Sequence, residues 1–170
     1  MSTPHSKGAA PIPAFPPVRF VTGGAFELVA ELSAFTSGTA RGSLDSGKLW
    51  IREVRALAGA ELVGRVERFG INVYAELATI ALEAAEPRGV AELLAAIRAL
   101  GAEAFRRRLF GADSTMTRSM VAEGAIELAL ASEAGAVAEL RSTFGFDRAR
   151  RVAIDRLIAT PAGVLLEEFS

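Results

Sequence analysis

A narrow polar stripe on an otherwise apolar segment is the feature of this sequence best suited to binding chemistry. In GINVYAELATIALEAA, residues 70–85, the polar side chains of Asn72, Glu76, Thr79 and Glu83 recur at helical spacing and would share one face of a helix. A partly buried carboxylate can bind a cationic or hydroxylated ligand, so Glu76 is the residue to test for binding. The alternative is that the stripe forms the one hydrated edge of a central helix.

The single tryptophan and the single tyrosine, Trp50 and Tyr74, both fall in apolar helical surroundings. An aromatic ring with a polar tip packs well in a core, and it also suits the wall of a ligand cavity. Both interpretations remain open at this point. The candidate ligand-binding residues, for a small-molecule effector, are Trp50, Phe69, Tyr74 and Glu76.

Three consecutive arginines lie in LGAEAFRRRLFG, residues 100–111. Neighbours on a helix are about 100° apart, so the three cannot all face one surface. With Phe105 and Leu109 on the buried side, Arg107 is expected to point away from the core, with Arg106 and Arg108 on its flanks. The main interpretation is a solvated face at a helix C-terminus, where cations are stabilised, and the alternative is a contact with phosphate or a partner.

A second basic cluster in residues 148–156 is diluted by Asp147 and Asp155. Direct DNA binding is therefore not expected from it. A DNA-associated repressor stays open as an alternative function, and its contact residues would be Arg106, Arg107, Arg108, Arg148, Arg150 and Arg151.

Catalysis finds little support. The sequence has no cysteine, which excludes disulfides and zinc-thiolate sites, and its one histidine is His5. Neither a dinucleotide fingerprint nor a phosphate-binding Walker sequence occurs. Glu76 and Glu83 could serve a metal-independent enzyme, but helical proteins offer such carboxylate pairs by chance. We therefore predict a non-enzymatic protein with no catalytic residues, no metal and no cofactor.

The elements that must position these side chains are predicted to be helices. Residues 1–17, MSTPHSKGAAPIPAFPP, indicate a flexible N-terminal arm, and residues 18–170 a single domain. With strand signals nearly absent, the fold class is all-α, a compact domain of about eight to ten short helices. Thr22 is the expected cap of the first helix. Glycines and Pro87 divide the rest into helices at roughly 48–58, 60–69, 71–84, 89–99, 102–110, 117–131, 134–142 and 147–158, followed by a closing VLLEEF segment.

Composition narrows the class of protein further. The formal net charge is −1 over 170 residues, so the sequence lacks the strong basicity of a nucleic-acid binder. It also lacks the low hydrophobicity of a disordered chain. Uncharged apolar runs are too short to span a membrane. We expect a cytoplasmic protein that makes no membrane contact.

Several phrases together resemble the helical N-terminal region of certain bacterial transcriptional regulators of the ArsR-like winged-helix class. They are VRFVTGGAFELVAELSAF, WIREVRALAGAELVGRVERFG and, above all, EPRGVAELLAAIRALGAEAFRRRLFG. In such regulators the first helix opens with Ser-Pro-x-x-Glu-Leu, and here Thr22 stands at the capping position while the proline is missing. The later phrase corresponds to Gly89 through Gly111, and the resemblance covers roughly residues 18 to 165.

The resemblance implies a role in transcription regulation, through effector sensing, dimerisation or both. In such regulators a winged helix that reads DNA follows the helical region, whereas no segment after residue 130 of this sequence looks like one. The family's DNA binding cannot be transferred to residues that are not there. A homodimer, or a complex with a winged-helix partner protein, is the assembly that the resemblance implies.

Overall fold

The structure, a computed structural model, describes residues 22–36, 47–86, 88–145 and 148–170. All regular secondary structure in these ranges is helical, which confirms the predicted all-α class. The predicted arm, residues 1–17, lies outside the described part. The helices are α1 (Gly24–Thr36), α2 (Gly47–Glu67), α3 (Gly70–Glu83), α4 (Val90–Leu100), α5 (Ala102–Leu109), α6 (Thr115–Met120), α7 (Ala125–Leu130), α8 (Ala134–Phe144), α9 (Arg148–Ala159) and α10 (Ala162–Phe169).

Helix α3 lies at the centre of the main core. It contacts α1, α4, α5 and α9, and it buries Val73, Tyr74, Leu77 and Ile80 among them. The near-continuous apolar sequence of this helix therefore matches its position, because a helix surrounded by others needs few polar side chains. Leu82, near the end of the helix, is an apolar residue that is half exposed.

A second, smaller core forms where α7, α8 and α9 meet. Its fully buried members include Ala129 and Leu140, and Ile154 of α9 joins them. Phe110, which follows α5, packs against both cores. The two cores are thus joined through α9 and the Phe110 side chain.

Helix α10 closes one side of the main core. It packs on α5 and α4, and the Phe169 ring lies 5.2 Å from Phe69 and 5.6 Å from Phe105, measured between ring centroids. A hydrogen bond from another helix holds its C-terminal end, because Arg98 of α4 donates to the main-chain oxygen of Ser170 at 2.7 Å. These contacts hold α10 against α4 and α5 and against Phe69, the residue that precedes α3.

Helix α2 is the least embedded of the long helices, because its main packing contact is with α1. Gly59 has non-helical backbone angles (φ 76°, ψ 163°) and divides the helix in two, as the sequence predicted for this glycine. Two leucines of this helix lie largely in solvent, because Leu57 is 88% exposed and Leu49 51% exposed.

Two predictions of helix ends were also wrong. The N–H groups of Phe26 and Glu27 donate to the carbonyl of Gly23, so Gly23 and not Thr22 precedes α1. The single helix predicted over 117–131 is two helices, α6 and α7, because Gly124 takes up a left-handed conformation (φ 75°) directly before α7. Ser114 accepts a hydrogen bond from the Thr117 N–H and so caps α6.

Candidate functional site

The structure separates the four candidate ligand-binding residues. Phe69 and Tyr74 line one cavity, which we call the Tyr74 cavity, and Glu76 lines a different one, the Glu76 cavity. Trp50 is half exposed on α2 and lines neither of them. Residues 74 and 76 are two positions apart on α3, so their side chains leave the helix about 200° apart and face different neighbours.

The Tyr74 cavity has a volume of about 280 Å³ and lies among α1, the end of α2, α3, α4 and α10. Most of its wall is apolar, formed by buried or half-buried side chains. The lining residues are Leu28, Val29, Leu32, Leu62, Arg65, Val66, Phe69, Tyr74, Leu77, Leu93, Leu94, Ile97, Glu168, Phe169 and Ser170.

Tyr74 is almost fully buried, and its hydroxyl donates a hydrogen bond of 2.6 Å to the main-chain oxygen of Val66. Burial raises the pKa of the Tyr74 hydroxyl far above its ordinary value, because the phenolate would be poorly solvated there. The hydroxyl therefore stays protonated and is engaged with α2. The Tyr74 side chain offers a ligand its ring face.

A carboxylate stands at the edge of the Tyr74 cavity. Glu168 binds Arg68 through Oε1, whereas its Oε2 atom is buried with no hydrogen-bond partner. Arg65 lies near the same place, 3.5 Å from the main-chain oxygen of Glu168. Glu168 thus lines an otherwise apolar cavity and keeps one buried carboxylate oxygen without a hydrogen-bond donor.

The Glu76 cavity has a volume of about 310 Å³ and lies between the two cores. Both cores contribute to its wall, and α6 adds two methionines. The lining residues are Val73, Glu76, Leu109, Phe110, Met116, Thr117, Met120, Thr143, Phe144, Arg150, Ala153, Ile154 and Leu157.

Glu76 is half buried, and burial raises the pKa of its carboxyl above the ordinary value. The Arg108 charge opposes that effect and the Asp113 charge adds to it, but burial is the largest cause. Two other predicted members of the polar stripe lie outside this environment. Thr79 and Glu83 are exposed, and nothing is described for the Asn72 side chain.

The three consecutive arginines are all bound within the chain. Arg106 donates to the main-chain oxygens of Leu157 at 3.1 Å and Ile158 at 2.5 Å, close to the end of α9. Their prediction as a solvated face was therefore wrong for Arg106, which is half buried and caps another helix.

Arg107 does point outward as predicted, and it binds Glu127 at 2.7 Å. Arg108 does not follow the solvated interpretation, because only 12% of its side chain is exposed and it binds Glu83 and Asp113. Neither arginine has its charge left without a carboxylate.

The second arginine cluster is divided among different surroundings. Arg148 is exposed, Arg150 lines the Glu76 cavity, and Arg151 donates to the main-chain oxygen of Gly145 at 2.6 Å. Arg141 and Asp155 form an ion pair beside them. The six arginines thus differ in exposure and in the groups that they contact.

In the described ranges, no three metal-binding side chains come together in a way that could hold an ion. Glu76 and Glu83, the carboxylate pair considered for acid-base chemistry, are separated by their environments, since Glu83 is exposed and bound to Arg108.

Several lining residues had no signal in the sequence. Thr117 looks like an ordinary polar helix residue, and Glu168 like a terminal surface acid. Met116 and Met120 are 71% and 47% exposed beside the Glu76 cavity. Gly111 was read only as punctuation, and nothing in the sequence placed it beside Glu76.

The chain was compared with protein-family models, with curated proteins and with solved structures, and none of them matches it. Among the described helices, none has both the length and the apolar character needed to cross a membrane.

Proposed function

We propose that this chain is a non-enzymatic regulatory domain that binds a small, largely apolar effector in the Tyr74 cavity. The observation that carries the proposal is the cavity itself, whose volume of about 280 Å³ is near the lower end of the range for ligand pockets. A ligand of that size would be mostly apolar and would carry one hydrogen-bond donor for Glu168 Oε2.

The cavity also offers a way to couple binding to a response. Its wall includes Phe169 of α10 and Leu62 of α2, as well as side chains of the core helices. An effector that binds one arrangement of α10 better than another would shift the population toward that arrangement. We propose that α10 is the element whose position reports the effector.

A place in transcription regulation rests on the resemblance to the helical region of ArsR-like regulators. On that basis the chain acts as a sensing or dimerising unit, as a homodimer or with a winged-helix partner protein. Light scattering of the purified chain over a range of concentrations tests the homodimer, and a monomer at all concentrations would leave the partner protein as the assembly to seek.

The two alternative functions receive less support. Arg106, Arg107 and Arg108 are occupied within the chain, so they offer DNA little unpaired charge. The raised pKa of Glu76 is the one observation in favour of acid-base catalysis. However, Glu83 stands apart from it, so the carboxylate pair on which that alternative depended is not assembled.

The test is thermal unfolding of the full chain against a library of neutral apolar molecules, with Trp50 fluorescence recorded alongside. A ligand at a hundredfold excess over its Kd should stabilise the folded chain by about 2.7 kcal/mol. The variant Leu94→Phe adds bulk to the cavity wall and should weaken binding at least tenfold.

The matched control is Leu128→Phe, which makes the same change at a half-exposed position of α7. It should leave binding unchanged. The proposal is wrong if no molecule in the library raises the midpoint, or if the ligands that do so bind Leu94→Phe as tightly as the original chain.

A further inference from the structure

Two polar side chains without hydrogen bonds face the same point in the Glu76 cavity. Among the described residues, neither the Glu76 carboxylate nor the Thr117 hydroxyl makes a hydrogen bond. A Cβ atom placed on Gly111 would lie 3.0 Å from Glu76 Oε1 and 2.8 Å from Thr117 Oγ1. The two oxygens therefore approach the same point beside Gly111, and their separation is no larger than the sum of these two distances.

Among the residues that the structure describes, no basic side chain makes a hydrogen bond or an ion pair with the Glu76 carboxylate. Arg108 is the basic group that acts on the Glu76 carboxyl, but it binds Glu83 and Asp113 instead. Arg150 also lines the cavity, and it is not among the charges that perturb the pKa of Glu76. A half-buried carboxylate in this position retains the capacity to bind a positive donor.

We infer that the Glu76 cavity is a second binding site, for a small ligand that carries a protonated primary amine on an apolar body. An ammonium group has three donors, and it is compact enough to reach Glu76 Oε1 and Thr117 Oγ1 together. Gly111 matters because the Cβ atom of any other residue at that position would come within 3.0 Å of both oxygens.

The remainder of the cavity suits the apolar body of such a ligand. Val73, Leu109 and Phe110 form an apolar wall, and Met116 and Met120 lie at its exposed side. Methionine side chains are unbranched and polarisable, so they adapt to ligands of different shape. The site therefore favours an amine attached to a hydrocarbon or aromatic group over a small polar cation.

This inference is independent of the Tyr74 cavity and of the effector proposed for it. The two sites differ in the charge that they select, since one takes a largely neutral apolar molecule and the other an ammonium. Leu94 lines the first cavity and does not line the second.

Isothermal titration calorimetry with 2-phenylethylamine at neutral pH tests the inference, with 2-phenylethanol and phenylacetate as probes of matched size. The amine should bind, the alcohol should bind at least tenfold more weakly, and the acid should not bind. The variants Glu76→Gln and Thr117→Val should each weaken amine binding, Glu76→Gln by tenfold or more.

The control for the charge change is Glu103→Gln, at an exposed glutamate outside the cavity, which should bind the amine as the original chain does. Leu94→Phe should also leave amine binding unchanged. Circular dichroism and thermal unfolding establish that each variant is folded before its titration is interpreted.

The inference is overturned if the amine does not bind, or if the alcohol binds as tightly as the amine. It is also overturned if folded Glu76→Gln retains full affinity, or if Leu94→Phe abolishes amine binding, since the amine would then occupy the Tyr74 cavity.

Discussion

The hydroxyl of Tyr74 shows how a single buried polar group can join two helices. It donates to the main-chain oxygen of Val66 near the end of α2, while its ring belongs to the core around α3. A carbonyl that has lost its donor in such a place costs free energy, because water cannot easily replace the hydroxyl. The bond therefore attaches the weakly embedded α2 to the main core.

Replacing Tyr74 with phenylalanine removes that hydroxyl and keeps the ring. We expect the free energy of unfolding to fall by about 1 kcal/mol, as measured by urea denaturation. Ser119→Ala removes a hydroxyl whose bond to Met116 is exposed, and it should change stability by less than about 0.5 kcal/mol. Equal effects of the two changes would contradict the role given to Tyr74.

The Glu76 carboxyl predicts a pH dependence of stability. Because burial raises its pKa in the folded chain, the folded state holds this proton more tightly than the unfolded state does. The contribution of Glu76 to the free energy of unfolding therefore falls as the pH rises from the ordinary pKa of 4.5 through the raised value. The charges of Arg108 and Asp113 already contribute to the pKa of Glu76, and Arg150 lines the same cavity.

Glu76→Gln removes this penalty, so the variant should be more stable than the original chain at neutral pH. The difference should shrink on acidification and vanish at about pH 3, well below the ordinary pKa, where the carboxyl is protonated in both states. Urea denaturation at the two pH values measures this difference in stability, with Glu103→Gln, at an exposed position, as the control. A variant less stable at neutral pH would mean that ionised Glu76 stabilises the fold.

For individual residues, the sequence could predict which side chains share a helix face, but not which helix faces pack against each other. Glu76 was identified because its polar stripe interrupts an apolar helix, and it does line a cavity. Its partners Thr117 and Gly111 lie more than thirty positions away and carry no local signal. Tyr74 and Glu76 were grouped because they are close in sequence, whereas their side chains face different neighbours.

Among the helices, the end of α9 depends on a side chain from α5. Arg106 donates to two main-chain oxygens there, which would otherwise lack partners because the helix ends. Its neighbour Arg107 makes an ion pair with Glu127 in which both side chains are about half exposed. These two adjacent arginines are therefore expected to contribute differently to the stability of the fold.

The paired variants Arg106→Ala and Arg107→Ala measure this difference. Loss of Arg106 should cost about 1–3 kcal/mol, because charged hydrogen bonds in a half-buried place are removed. Loss of Arg107 should cost less than about 1 kcal/mol, since exposed ion pairs contribute little. Chemical denaturation of both proteins is the measurement, and equal losses would contradict the cap.

Helix periodicity predicted the class of the fold and most helix positions because glycine and proline interrupt it clearly. Gly59 interrupts α2 as expected, since its backbone adopts angles that other residues rarely take. The interruption at Gly124 was missed because apolar residues, Val121 and Ala122 before it and Ala125 and Ile126 after it, continue the apolar pattern on both sides. A glycine is tolerated within a helix, so its presence alone does not show that the chain turns.

For the molecule as a whole, the distribution of charge predicts little attraction to nucleic acid. The net charge is −1, and most of the arginines considered for phosphate contact are bound within the chain. Fluorescence anisotropy with duplex DNA at low salt should therefore show no specific, salt-sensitive binding. Binding that weakens with salt and is lost in an Arg148→Ala and Arg151→Ala double variant would favour the repressor alternative.

The two cores need not open together. The side chains of α7 and α8 pack mainly with one another and with α9, and the Glu76 cavity reduces the packing between this group and α3. Cooperative units of this kind can open below the free energy of global unfolding. Native-state hydrogen exchange should find the amides of α7 and α8 opening at a lower free energy than those of α3, so that the smaller core separates while the larger one remains closed.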